Sequence, residues 1–114
     1  MIDRMTHIID ELQALTGGDI TLTRRLLEEV LRNCALDCEN LLAIAPDDHP
    51  GMLDIAHRIN GAARIVQARA VYEACQVLEA SDPHDDLRPG RDALHLALVQ
   101  LQTDLQRTLA KLDE

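Results

Sequence analysis

His57 and Gly61 stand four residues apart in "AHRINGAARIVQAR", residues 56–69, with Arg58, Asn60 and Arg64 between and beyond them. The stretch reads as helix, yet an interior glycine costs a helix about 0.5–1 kcal/mol relative to alanine. At about 100° per residue, Ile55, Ile59, Ala62 and Val66 fall opposite His57 and form the expected core stripe. Gly61 and Arg64 fall within about 40° of His57, Asn60 and Leu53 lie on one flank, and Asp54 and Arg58 on the other. His57 is therefore expected at the centre of the solvent face. A helical side chain leans over the turn before its own Cα, so residue 61 is the one that would cover the imidazole. Glycine has nothing to lay there, and Ala68, read as further along the same face, is small as well. This reading leaves an exposed ring nitrogen open to a large partner, with Leu53, Asp54 and Ala68 as the surface that partner meets.

The elements that must hold this face are all helical. The 114 residues carry 46% apolar side chains, drawn almost entirely from Leu, Ile, Val and Ala, with one Tyr and no Phe or Trp. Such a core suits packed helices better than sheets. Spacing predicts helices over roughly 3–15, 20–45, 51–66, 69–80 and 91–112. "TGGD" stops the first, with Asp19 or Thr21 able to cap the second. "PDDHPG" (46–51) and "SDPHDDLRPG" (81–90) read as loops. The second helix shows a stripe of Leu26, Leu27, Val30, Leu31, Cys34, Leu41, Leu42 and Ala45. The last shows Leu94, Leu98, Leu101, Leu105, Leu109 and Leu112. Short loops make neighbours antiparallel, so the expected fold is all-α: an up-and-down antiparallel four-helix bundle with an additional N-terminal helix, as one domain over 1–114.

Charge and cysteines narrow the function. A net charge of −9 argues against nucleic acid and against an anionic membrane surface. No apolar run is long enough to span a bilayer, and "MIDRMTHIIDEL" has no signal-peptide layout. Three cysteines without framework spacing fit a reducing compartment. Cys34 and Cys38 read as small core residues, and no metal site is expected. His7, His49, His84 and His95 have no glycine four residues on and read as surface side chains.

"His57-Arg58-Ile59-Asn60-Gly61-Ala62-Ala63" resembles the core motif of histidine-containing phosphotransfer (HPt) domains, His-x-Leu/Ile-Lys-Gly-Ser/Ala. "GGDITLTRRLLEEVLRN" is similar to that family's Gly-Asp opening of a long helix. "QARAVYEACQVLEAS", with Cys75, Leu78 and Glu79 in a Cys-x-x-Leu-Glu pattern, is similar to its fourth helix. Asn60 replaces the family's lysine, and Gln67 replaces the glycine usual before the fourth helix, which suggests a different turn. The resemblance implies a phosphoryl carrier in a two-component phosphorelay: His57 accepts from a receiver-domain aspartate and gives to another, through Nε2. A neutral imidazole is the nucleophile, and an ordinary pKa near ~6.5 makes that form abundant at neutral pH. The partners implied are response-regulator receiver domains, which bring Mg²⁺, so this chain needs no cofactor and shows no phosphate-cradling glycine loop. Arg64, on the face of His57, can supply the charge of the missing lysine, with Arg58 at the edge. The plainer reading of Arg58 is a surface pair with Asp54. The expected context is a cytoplasmic domain, monomeric when isolated. A typical source is the C-terminal module of a hybrid sensor kinase of the tripartite virulence-sensor type.

Two other classes compete. A histidine-kinase dimerisation domain normally places an acidic residue after its His and a proline shortly beyond, where this chain has Arg58 and Gly61. A helical adaptor that binds partners without phosphorylation is kept open by Asn60 in place of the lysine. Acid-labile, base-stable phosphate on His57 separates carrier from adaptor.

Overall fold

A computed structural model of the chain describes residue 10 and residues 12–112. Helix α1 is described over 12–16; its expected start, with His7, lies outside the described residues. Four long helices follow: α2 (Ile20–Ala43), α3 (His49–Ile65), α4 (Arg69–Glu79) and α5 (Arg88–Leu112). Among the described residues there is no strand. α2 packs on α5 and on α3, α3 on α4, and α4 on α5, so the four helices close into the expected antiparallel bundle.

The turn before α2 follows from glycine. Gly17 and Gly18 take φ of 66° and 86°, and the Gly18 amide donates back to Gln13 O at 2.9 Å. Asp19 then caps α2, its carboxylate accepting from the amides of Thr21 (2.9 Å) and Leu22 (3.1 Å).

Two proline-glycine stretches expected as loops are loops over 46–48 and 81–87, but their last three residues are already helical. Asp48 caps α3 by accepting from the Gly51 amide at 3.0 Å, which puts His49, Pro50 and Gly51 in the first turn. Arg88, Pro89 and Gly90 likewise open α5. First-turn amides have no partner inside their helix, so proline loses nothing there, and its φ is already helical. Gly90 also lets α5 come close to α4, since a Cβ there would stand 2.8 Å from Leu78 Cδ2.

The core is a leucine-rich seam, with Leu27, Leu41, Met52, Ile59, Leu78, Leu94, Leu98 and Leu105 all buried. Cys34, Cys38 and Cys75 are buried free thiols within it. Burial pushes Cys34 and Cys75 up to about 12. Leu42 and Ala45, expected in the core, are exposed; α2 ends at Ala43 and its inward stripe runs Cys34, Cys38, Leu41. Ala62 is exposed too, and Met52, Ala56 and Ala63 take the inward positions with Ile55, Ile59 and Val66. The apolar face of α3 is thus wider than the expected stripe and centred about 40° from it. Thr23 and Thr108 are buried polar residues that the leucine pattern does not show. Each is satisfied by its own helix, donating to Asp19 O and Asp104 O at 2.8 Å.

Candidate functional site

α3 carries the site, and both its ends are tied down. At its start His49 is half-buried, not a free surface residue: its Nε2 donates to Ser81 O at 3.0 Å, and Ser81 Oγ lies 3.3 Å from the same nitrogen. That joins the N-terminus of α3 to the C-terminus of α4. At its end the chain reverses through Gln67, whose φ is +57°. The Ala68 amide bonds Ala63 O at 2.9 Å and the Gln67 amide bonds Arg64 O at 3.2 Å. This is the Schellman closure, which usually places glycine at the left-handed residue. The turn is therefore the glycine-type turn with glutamine strained into it, not the different turn that Gln67 suggested.

His57 stands on the exposed face of α3, its side chain 84% accessible. Gly61 is exposed as well, and a Cβ built on it would meet nothing within 4 Å. The ring is flanked by α4. Glu79 Oε2 lies 3.8 Å from His57 Nδ1, with the Glu79 side chain 29% accessible. The other oxygen, Oε1, accepts from Asn60 Nδ2 at 3.1 Å. Asn60 Oδ1 accepts in turn from Arg64 Nε at 3.0 Å, and the Arg64 guanidinium lies 4.8 Å from the centre of the Tyr72 ring. A chain of side chains thus runs along the α3–α4 seam, Tyr72, Arg64, Asn60, Glu79, His57. It leaves Nε2 as the nitrogen away from the carboxylate.

The expected site residues fall into three groups. Asn60, Gly61 and Arg64 accompany His57, but Arg64 is engaged with Asn60 and Tyr72 and not turned to the imidazole. Arg58 reaches across to α2, its guanidinium 3.8 Å from Asp37, in place of the expected Asp54 pair. Burial raises the Asp37 carboxyl above its ordinary value, and Arg58 offsets part of that rise. Leu53 is half-buried and Asp54 exposed on α3. Ala68 does not continue the His57 face: it lies past the turn, immediately before α4, and packs against the core. Glu79 and Tyr72 are the neighbours that sequence reasoning missed. Glu79 stood in the Cys-x-x-Leu-Glu pattern without a role, because its approach to His57 depends on how α4 docks.

A family model for the Hpt domain matches residues 1–111. The chain belongs to the Hpt domain family, and its role is the histidine phosphotransfer of two-component phosphorelays, in which Hpt domains pair with receiver domains. Among individual relatives, it is similar to Virulence sensor protein BvgS of Bordetella parapertussis (strain 12822) and of Bordetella pertussis (strain Tohama I). It is 39% identical to each over 71 residues, 61% of this chain. The protein of the same name from Bordetella bronchiseptica (strain RB50) is 38% identical over the same length. The chain spans 6% of the length of these relatives. No solved structure matches it. No helix among the described residues is long and apolar enough to cross a membrane.

Proposed function

We propose that His57 Nε2 takes the phosphoryl group from the aspartyl phosphate of one receiver domain and passes it to the aspartate of another. The Nε2 lone pair attacks phosphorus. The bond from phosphorus to the aspartyl oxygen breaks, its electron pair leaving on the aspartate carboxylate, and an N–P bond forms. The ring keeps its proton on Nδ1 and gains positive charge, which the Glu79 carboxylate at 3.8 Å opposes. Onward transfer is the reverse of these steps on a second receiver. The chain supplies no cofactor of its own in this reading; Mg²⁺ comes with the receiver. Leu53 and Asp54 form the adjoining docking surface, and the domain acts as a monomer. By its likeness to one part of BvgS, it serves as the cytoplasmic phosphotransfer module of a hybrid sensor kinase.

The observation that carries the reading is the pairing of an exposed imidazole, one nitrogen beside a carboxylate, with open space over Gly61. The test is incubation with a panel of phosphorylated receiver domains. His57→Gln folds as the parent, because the site is exposed, and loses acid-labile, base-stable label entirely. Label that persists in this variant, or that sits on His84, rejects the assignment. A parent that binds receivers and is never labelled is an adaptor.

A further inference from the structure

We infer that Asn60 is a positioning residue, which acts on the His57 ring by holding the Glu79 carboxylate. The inference rests on His57 being the reacting group. Asn60 bears no charge, and both ends of its amide are committed: Nδ2 donates to Glu79 Oε1 at 3.1 Å, and Oδ1 accepts from Arg64 Nε at 3.0 Å. The two neighbours fix which way the amide points. Reversed, it would set an oxygen against a carboxylate and an N–H against a guanidinium. Arg64 is itself held over Tyr72, so the amide is braced from the α4 side. With Oε1 occupied, Glu79 has Oε2 left for His57 Nδ1, and 3.8 Å closes to a hydrogen bond by a small rotation of the ring. A carboxylate at that position favours the Nδ1–H tautomer, which presents the Nε2 lone pair outward. Without Asn60, Glu79 is a half-exposed side chain free to turn to solvent. Arg64 thereby has a part in the site without facing the phosphoryl group.

The test reads the tautomer directly. In ¹⁵N-labelled protein, long-range ¹H–¹⁵N spectra give the Nδ1–H to Nε2–H ratio of the neutral His57 ring. Exposed charge contacts are weak, so Asn60→Ala is expected to lower that ratio by about two- to fivefold. Glu79→Ala lowers it at least as much, Arg64→Ala less, and Asn60→Gln, which keeps the amide donor, restores part of it. Thermal melting confirms that each variant is folded. Transfer from a phosphorylated receiver should slow in kcat in proportion to the fall in the Nδ1–H fraction, and so by no more than the ratio changes, with KM for the receiver unchanged. A ratio that moves in Glu79→Ala and stays at the parent value in Asn60→Ala overturns the inference. A ratio that moves in neither overturns it together with the role of Glu79. The ratio is measured without phosphate, so a His57 that no receiver labels sinks the phosphoacceptor reading separately.

Discussion

Replacing Gly61 separates the demands of folding from those of transfer. The residue lies inside α3, is exposed, and has no neighbour within 4 Å of a built Cβ. Gly61→Ala therefore gains helix propensity and loses unfolded-state entropy with no steric cost, a stabilisation of about 0.4–1 kcal/mol. For a chain of this length that is about 2–5 °C in Tm. An alanine methyl is short, so transfer to His57 slows at most a few-fold. Gly61→Gln also folds, but its side chain leans back over the preceding turn, where His57 stands. A receiver must bring its aspartyl phosphate in line with Nε2, and a displacement of about 1 Å costs on the order of 100-fold in rate. Gly61→Gln is thus expected to melt at or above the parent temperature and to transfer roughly 10- to 100-fold more slowly. The assays are calorimetry and the rate of label transfer from a phosphorylated receiver, on the same preparations. A Gly61→Gln protein that transfers at the parent rate refutes the access argument. A Gly61→Ala protein that melts lower refutes the placement of the glycine.

Gln67 shows the opposite imbalance. A side chain held at φ +57° costs about 1–2 kcal/mol, and glycine returns part of that gain in the unfolded chain, so Gln67→Gly should stabilise by about 0.5–1 kcal/mol in denaturant titration. An unchanged midpoint means that the turn is not strained. The buried thiols predict an alkaline limit. Cys34 and Cys75 stay neutral in the fold up to about 12, against an ordinary 9.0. Their contribution is whole below about pH 9 and is lost as pH rises from there toward 12, because the unfolded thiols ionise first. Tm should fall across that window, and less steeply in Cys34→Ala/Cys75→Ala. At pH 8 the folded protein should resist iodoacetamide at both thiols, and fast alkylation of Cys75 contradicts its burial.

Much of the bundle is legible in the residues themselves. Leucines at helical spacing, the near absence of aromatic side chains and the short connections determine four antiparallel helices, because apolar stripes of that period bury only against one another. The exposure of His57 and the bareness of Gly61 follow from spacing on one helix, a local quantity. What spacing does not carry is the docking of one helix on the next. The apolar face of α3 is centred about 40° from the expected stripe, which brings Ala63 inward and leaves Ala62 outside. Prolines that punctuate a sequence proved to open α3 and α5, because a first-turn residue needs no amide donor; at α3 the Asp48 carboxylate also caps that turn. Ala68 left the face of His57 once Gln67 adopted the left-handed turn. The cross-helix partners of Asn60, Arg58 and His57, namely Glu79 and Asp37, lie 19 to 22 residues away in the chain. No single helix places a carboxylate beside that imidazole; the packing of α4 against α3 does.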